Sequence, residues 1–464
     1  MSTGVPAASA SASSLDVAHA PAPAAGSAAF TPCQGLAYGA LGLPLAFVAL
    51  PLYVILPNHY AREFGMPLAT LGAILLAARL FDAFIDPTLG SISDKLYTRS
   101  ISAVLGFGAL AAVLLFVGFA LLFFPPVQRG EALAWWAGAM LVFTYAAYSA
   151  LAIGHQSWGA MLGGDEAHRS RVVAWREGLG LVGVLLASVT PVLLGLPATV
   201  GLFALCLLLG WLAWTQAPQP ERALHIAQSN DTVRAEPALA PSPIHVGAPA
   251  PKRSIWHPFA QPDFRRLLAV FMLNGIASAI PATLVLFFIQ DRLQAPPALE
   301  AAFLGTYFLC AALCIPLWLQ GVKRYGLARS WLAGMLLAIA VFAWASQLGA
   351  GDVVAFLAVC ALSGVALGSD LALPPALLAG VIQRAGDRGQ AEGAYFGWWN
   401  FATKLNLALA AGLALPALAA FGYSPGVRDA QATGALVIAY CVLPCALKLL
   451  AAASLYFFNI KGKP

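Results

Sequence analysis

The sequence predicts an all-α integral membrane protein with twelve transmembrane helices in two six-helix bundles. Three observations predict this class: the composition, the spacing of the apolar runs, and the placement of Lys and Arg. Of the 464 residues, 60% are hydrophobic and 10% are charged, whereas an ordinary soluble domain carries about 25% charged residues. So much apolar surface needs lipid around it, and we therefore expect the chain to cross a membrane many times.

The apolar runs fall into two groups of six. A transmembrane helix needs about 20 mostly apolar residues. The first group of candidates is 35–57, 68–92, 101–124, 133–155, 175–195 and 197–216. The second group is 264–289, 298–320, 329–349, 353–383, 392–421 and 432–458.

The segments outside these runs define the domain organisation. Residues 1–33 are rich in Ala, Ser and Pro, and we expect a disordered cytoplasmic tail there, with no cleavable signal peptide. Residues 34–216 form the first predicted bundle and residues 263–460 the second. Residues 217–262 are polar and Pro-rich, which is typical of a cytoplasmic linker, and residues 461–464 form a short cytoplasmic tail.

The basic residues predict the orientation. If both termini lie in the cytoplasm, most of the 25 Lys and Arg residues fall in cytoplasmic loops, as the positive-inside rule requires. We therefore expect a multi-pass protein of a bacterial inner membrane. The net charge of +5 follows from this loop bias and does not indicate a nucleic-acid partner.

The sequence argues against an enzyme. No Cys/His cluster has the spacing of a metal site. No nucleophile is accompanied by a base at a usable spacing, and no Gly-rich phosphate loop occurs. We therefore expect no metal and no other cofactor.

The second apolar run carries charges that a membrane span does not tolerate without a reason. It contains RLFDAFIDPTLGSISDK, which begins at Arg79. Arg79, Asp82 and Asp86 lie within about 60° on one helix face, and one charge at the bilayer centre costs about 2.5–3.5 kcal/mol. Pro87 leaves the carbonyl of Ala83 without its helical donor, so two carboxylates and a free carbonyl could hold a small cation or a proton. The alternative is a buried structural ion pair between Arg79 and Asp82.

The layout of six and six spans around a long central loop resembles the major facilitator superfamily, whose two halves are related by an axis along the membrane normal. Gly90, Asp94 and Lys95 resemble the gating loop G-x-x-x-D-[KR] that follows the second span in that superfamily. We expect a tight turn there at the cytoplasmic surface. The resemblance implies alternating access, with substrate bound between the halves.

Within the superfamily, R-x-x-D-x-x-x-D-P in the second span resembles the glycoside–pentoside–hexuronide:cation symporters. The resemblance implies that Asp82 and Asp86 bind the coupling cation. Span eleven, EGAYFGWWNFATKLNLALA, resembles the family's span with a lysine facing those acids. It implies that Lys404, together with Arg79, balances the carboxylate charges.

A third acid of the family's cation site is missing from the fourth span. The resemblance places Ala152 at that position, with Ser149 nearby. Without a third carboxylate, H⁺ is favoured as the coupling ion, and Na⁺ stays the alternative.

Candidate substrate-binding residues come from the same comparison and from polar or aromatic side chains in or beside spans. They are Arg176, Trp158, His155, Asn400, Trp399 and Asp370. Arg176 could equally be a basic residue that anchors its span at the cytoplasmic surface. Trp158 could belong to the aromatic belt at the membrane–water interface, and His155 could be a hydrogen-bonded residue at the end of a span. Asp370 could be a second proton site or a capping group at a broken helix.

The predicted function is therefore cation-coupled symport, with H⁺ preferred, of a small solute of the sugar or glycoside class. The protein would act as a monomer, with a small-molecule substrate and membrane lipid as its partners. Two alternatives stay open: a lysolipid or amphiphile transporter of the same fold, and a membrane receptor or scaffold that does not transport.

Overall fold

The computed structural model describes residues 30–220, 254–420, 423 and 429–461. In this part of the chain the secondary structure is helical, without strands. Ten of the helices described there are long and apolar enough to cross a membrane. Leu68–Arg99, with 32 residues, and Glu392–Ala420, with 29 residues, complete a set of twelve. The predicted all-α transmembrane architecture is confirmed.

Six helices form the first half. They are α1 Pro32–Leu50, α2 Leu68–Arg99, α3 Ile101–Phe123, α4 Gly130–Met161, α5 Glu166–Pro191 and α6 Leu193–Thr215. The first span continues beyond α1 through a π-helical turn, Pro51–Ile55, and a short helix, Leu56–Glu63. Near the start of α6 the chain kinks at Gly195, whose φ of 79° lies in the left-handed region that favours glycine.

Six further helices form the second half. They are α7 Pro262–Arg292, α8 Glu300–Tyr325, α9 Leu327–Ala345, α10 Val353–Arg384, α11 Glu392–Ala420 and α12 Ala430–Phe458. Gly326, with a φ of 81°, allows the sharp reversal from α8 to α9. Each half has its own apolar core, and many side chains on the outside of the bundle are exposed Leu, Val and Phe. Such an apolar exterior is what a lipid-facing surface requires.

The largest contacts between the two halves are made by four helix pairs: α2 with α11, α4 with α11, α5 with α8, and α5 with α10. Glycines bring the backbones of α2 and α11 into direct contact. A side chain at Gly90 would overlap the carbonyl of Gly393, and one at Gly397 would overlap the backbone of Asp86 and Pro87. This close approach is what carries the side chains of α2 and α11 to one site between the halves.

The prediction of a tight turn at Gly90, Asp94 and Lys95 is wrong. Gly90, Asp94 and Lys95 lie within α2, which stays helical to Arg99. The chain reverses at Ser100, whose hydroxyl accepts a hydrogen bond from the Ala103 N–H at 3.0 Å and so caps α3. The polar segment GSISDKLYTR thus extends α2 beyond the apolar run.

The predicted tail and linker are only partly within the described residues. Residues 1–29 of the tail, residues 221–253 of the linker and residues 462–464 lie outside them. At the end of the linker a short helix, His257–Ala260, precedes α7. Its neighbour Trp256 packs on Trp398 of α11, with ring centroids 4.7 Å apart.

Candidate functional site

Two aspartates of α2 and the lysine of α11 meet between the halves. The ammonium nitrogen of Lys404 lies 2.7 Å from Asp82 Oδ2 and 2.7 Å from Asp86 Oδ2. It also lies 2.9 Å from Asp86 Oδ1 and 2.8 Å from Ser149 Oγ of α4. The carbonyl oxygen of Asp82 is the next neighbour, at 3.4 Å. We call this group, made of Asp82, Asp86, Ser149 and Lys404, the acid–lysine cluster.

The cluster follows from helix geometry and from burial. Asp82 and Asp86 are one turn apart and therefore lie above one another on the same face of α2. Asp86 is 0% exposed and Asp82 is 5% exposed, whereas the Lys404 side chain is 22% exposed. Buried charges are costly unless they are paired, so the pairing with Lys404 is what permits two carboxylates at this depth.

Ser149 connects the acids to the lysine. Its hydroxyl donates to Asp82 Oδ1 at 2.7 Å and accepts from Lys404 at 2.8 Å. The sequence placed Ser149 near a missing third carboxylate but assigned it no role. Its donor and acceptor capacity lets it satisfy one charge of each sign at once.

Arg79 is the second residue for which the sequence predicts a charge-balancing role. It lies half-buried on α2, about one turn before Asp82, while the close ion pairs of Asp82 and Asp86 are formed by Lys404. The carbonyl beside the ammonium also belongs to Asp82 rather than to Ala83. Lys404 is therefore placed for the balancing role, and the share of Arg79 in that role stays a prediction.

A second buried charge pair lies entirely within the second half. Lys448 of α12 is 4% exposed and lies 3.0 Å from Asp370 Oδ2 of α10. Asn274 and Trp331 each donate to Asp370 Oδ1, at 3.0 and 2.9 Å, and Ser278 donates to Asp370 Oδ2 at 3.3 Å. Four side chains thus bind the Asp370 carboxylate. The pair is therefore suited to fixing the packing of α7, α9, α10 and α12 rather than to binding a substrate.

Three of the candidate substrate residues are buried, Trp158 and His155 in the first half and Trp399 in the second. Trp158 is 1% exposed, donates to the Pro218 carbonyl at 2.8 Å and packs on Trp214. It is therefore neither a stacking platform nor a residue of an interfacial belt. The sequence could not show this because it does not fix the rotation of α4.

His155 and Trp399 are in the same situation. His155 is 0% exposed, and its Nε2 lies 2.8 Å from the Tyr38 carbonyl. Trp399 is 4% exposed and stacks on Phe271 with ring centroids 3.8 Å apart. Neither ring has a face free for a ligand in this structure.

Asn400 and Arg176 do lie between the halves. Asn400 donates to Gln156 Oε1 of α4 at 3.0 Å. Arg176 contacts Glu177 through its Nε at 3.0 Å and lines a narrow cavity with Tyr38, Gln156 and Phe396. Gln156 was missed by the sequence reasoning, although its place one turn from Ala152 on the same span was a usable signal.

At the end of the molecule where α1 begins and α12 ends, further hydrogen bonds join the two halves. Asp94 accepts from the Gly393 and Ala394 N–H groups, at 2.6 and 2.9 Å, and so caps α11. The other links at this end are Arg169 to Gln383 at 2.8 Å, Arg388 to the Met161 carbonyl at 3.0 Å, and the Leu327 N–H to Glu166 at 2.7 Å. The gating residue Asp94 therefore joins the two halves directly, whereas Lys95 is exposed.

The described residues contain no group of three or more His, Cys, Asp or Glu side chains that could hold a metal ion. The acid–lysine cluster supplies two carboxylates and a hydroxyl, which suits a monovalent cation or a proton. These oxygens at present surround an ammonium group.

The family of the chain follows from a family model described as MFS/sugar transport protein, which matches residues 34–223 and 248–462. The chain belongs to this family. It is thus a multi-pass membrane protein of the major facilitator superfamily, a transporter and not an enzyme. None of the curated proteins matches the chain at a significant level.

Solved structures show the same fold. A bacterial homologue of the iron transporter ferroportin, in an outward-facing state, superposes with a TM-score of 0.66 at 15% identity, covering 92% of this chain and 99% of that one. The E. coli fucose:proton symporter gives a TM-score of 0.58 at 15% identity, covering 92% of this chain and 97% of that one. Identities this low establish the major facilitator fold alone.

Proposed function

We propose that this transporter is a symporter that couples uptake of a small solute, of the sugar or glycoside class, to a cation, with H⁺ preferred over Na⁺. The observation that carries the proposal is the acid–lysine cluster. Its two carboxylates belong to one half and its ammonium to the other, so the charges must separate when the halves move. Ionisable groups inside a membrane protein mark ion and substrate pathways.

The mechanism derives from this division of charge. In the major facilitator fold the two halves rock about a central site. While Asp82 and Asp86 are ionised, Lys404 binds both and holds α2 against α11. Protonation of a carboxylate removes one of these attractions, so proton uptake lowers the cost of separating the halves, and the proton gradient drives the cycle. Asp94, through its cap on α11, stabilises the state in which this end is closed.

The oxygen positions support H⁺ over Na⁺. The cluster offers two carboxylates and, from α4, a hydroxyl in place of a third acid. Four oxygens lie 2.7–2.9 Å from the Lys404 nitrogen, which is the length of a charged N–H···O bond. With the ammonium in place, the free carboxylate lone pairs can take a proton without rearranging the site.

The substrate class rests on polar groups that lie between the halves and on the resemblances of the chain. Tyr38, Gln156 and Arg176 offer hydrogen-bonding groups there, and Phe396 offers an aromatic wall. The cavity among them measures about 10 Å³ in this conformation, which is room for about one water, so a solute of this class would bind there only after the halves move apart. The fucose:proton symporter shows that the fold can serve such a solute, and the resemblance to the glycoside–pentoside–hexuronide:cation symporters agrees with it.

We further propose a bacterial inner membrane as the location, both termini in the cytoplasm, and a monomer in lipid as the working unit. The closed end would then be cytoplasmic and the conformation outward-facing, like that of the ferroportin homologue.

A ligand screen tests the proposal. Thermal unfolding of the purified protein is measured with sugars, glycosides, uronates and lysolipids, at low and high pH, with NaCl or choline chloride. Ligands that bind the folded state raise its apparent stability. A pH-dependent shift with a sugar-class compound supports the proposal, and a shift with lysolipids alone would contradict it.

A further inference from the structure

The acid–lysine cluster is built around a cation that the protein itself supplies. Lys404 Nζ has four oxygens within 2.9 Å and a fifth at 3.4 Å. An ammonium has three N–H donors, so the oxygens already exceed what it can use. Its carbon stem reaches the site from α11, with 22% of the side chain exposed.

We propose that the ammonium of Lys404 is the resident cation of this site, and that it keeps external alkali ions out. Resting on the proposed function, this inference makes Lys404 the residue that determines ion specificity. Truncating Lys404 to alanine would then create a binding site for a primary alkylammonium ion. The class of ligand follows from the oxygen distances, which match N–H···O bonds rather than the 2.3–2.6 Å that hard metal ions such as Ca²⁺ take from oxygen.

The missing atoms define the best probe. Alanine at position 404 removes three methylene groups and the ammonium, so n-propylammonium has the matching length. Methylammonium restores the charge but leaves the stem empty, and we expect it to bind roughly tenfold more weakly because two buried methylenes are missing. Tetramethylammonium has no N–H group and should not bind.

The experiment measures the melting temperature of purified wild type and Lys404→Ala against each ammonium chloride, with choline chloride keeping the ionic strength constant. We expect n-propylammonium to stabilise Lys404→Ala in a concentration-dependent way and to leave the wild type unchanged. The double variant Lys404→Ala with Asp86→Asn serves as the matched control and should lose the effect, because one carboxylate of the site is gone.

Two results would overturn the inference. One is a folded Lys404→Ala protein that no primary ammonium ion stabilises more than tetramethylammonium does. The other is a wild type that Na⁺ or Li⁺ stabilises more than choline, since an alkali ion would then displace the resident ammonium. If Lys404→Ala cannot be purified, this wild-type comparison decides alone, and equal melting in the three salts supports the inference.

Failure of the inference is distinguishable from failure of the proposed function. The melting experiment uses no substrate and no gradient, so it reports only which cation the site accepts. Uptake driven by a pH gradient reports only coupling.

Discussion

Lys404 of the second half lies 2.7 Å from a carboxylate oxygen of Asp86 in the first half. The contact spans two helices that are brought together by glycines at 90, 393 and 397. In the proposed mechanism the two halves move relative to each other around this contact. We therefore expect transport to break this bond and to form it again.

Ser149 offers the least disruptive test of the acid–lysine cluster. Ser149→Ala removes the bond to Asp82 and the acceptor for Lys404, and bonds to charged groups are worth about 1.5–3 kcal/mol. We expect the free energy of unfolding to fall by about that amount. Uptake should slow because the lysine is less firmly placed.

Ser157→Ala is its control. Ser157 is also a buried serine of α4, but its hydroxyl has no hydrogen-bond partner among the described residues. This change should leave both the melting temperature and the uptake rate near the wild-type values. Equal losses in the two variants would show that Ser149 has no special role.

Gly90 tests the closed end. Gly90→Ala places a methyl group against the carbonyl of Gly393, and such overpacking costs about 1–3 kcal/mol. We expect a lower melting temperature and slower uptake, because the added methyl group would push α2 and α11 apart where Asp94 caps α11.

Gly72 on the same helix is the matched control, since no atom of the described residues lies within 4 Å of a side chain added there. Gly72→Ala should leave uptake unchanged and raise stability by about 0.5–1 kcal/mol through helix propensity. If Gly90→Ala behaves like Gly72→Ala, the glycine contact does not control the closed end.

The pair Asp370–Lys448 separates a structural role from a role in transport. Lys448→Met leaves Asp370 buried without its cation, and breaking a buried pair costs about 3–5 kcal/mol. We expect Lys448→Met with Asp370→Asn to recover much of this stability and to retain coupled uptake. Melting curves and uptake assays measure both. A stable double variant that no longer couples would identify Asp370 as a proton site.

Trp158 tests whether a buried ring contributes to substrate binding. Trp158→Phe removes the hydrogen bond to the Pro218 carbonyl, and we expect a loss of about 0.5–1.5 kcal/mol of stability with KM unchanged. An increase of KM at unchanged melting temperature would instead place Trp158 at the substrate.

The sequence predicted the helices of this protein better than it predicted which helices pack against each other. Length and hydropathy predicted the twelve helices, and the one-turn spacing of Asp82 and Asp86 predicted a shared face. The depth of Lys404 in its span pointed to the same site, because a mid-membrane lysine needs a partner.

Other pairings between distant helices could not be predicted from the sequence. Nothing in the spacing of residues 370 and 448 indicates that α10 and α12 place them 3.0 Å apart. The same holds for Trp158 and His155, because α4 is apolar on several faces and its rotation is set by packing. The helical course of residues 90–99 was missed because a glycine followed by polar residues is also typical of a turn.

The most direct test of the central claim is the proton movement that accompanies transport. Proteoliposomes in weak buffer receive a substrate identified in the ligand screen, and the external pH is recorded for the wild type and for Asp86→Asn. We predict that the wild type makes the medium more alkaline as the solute enters, and that Asp86→Asn, although folded, does not. Uptake by the wild type without any change of pH, or equal alkalinisation by Asp86→Asn, would contradict the account.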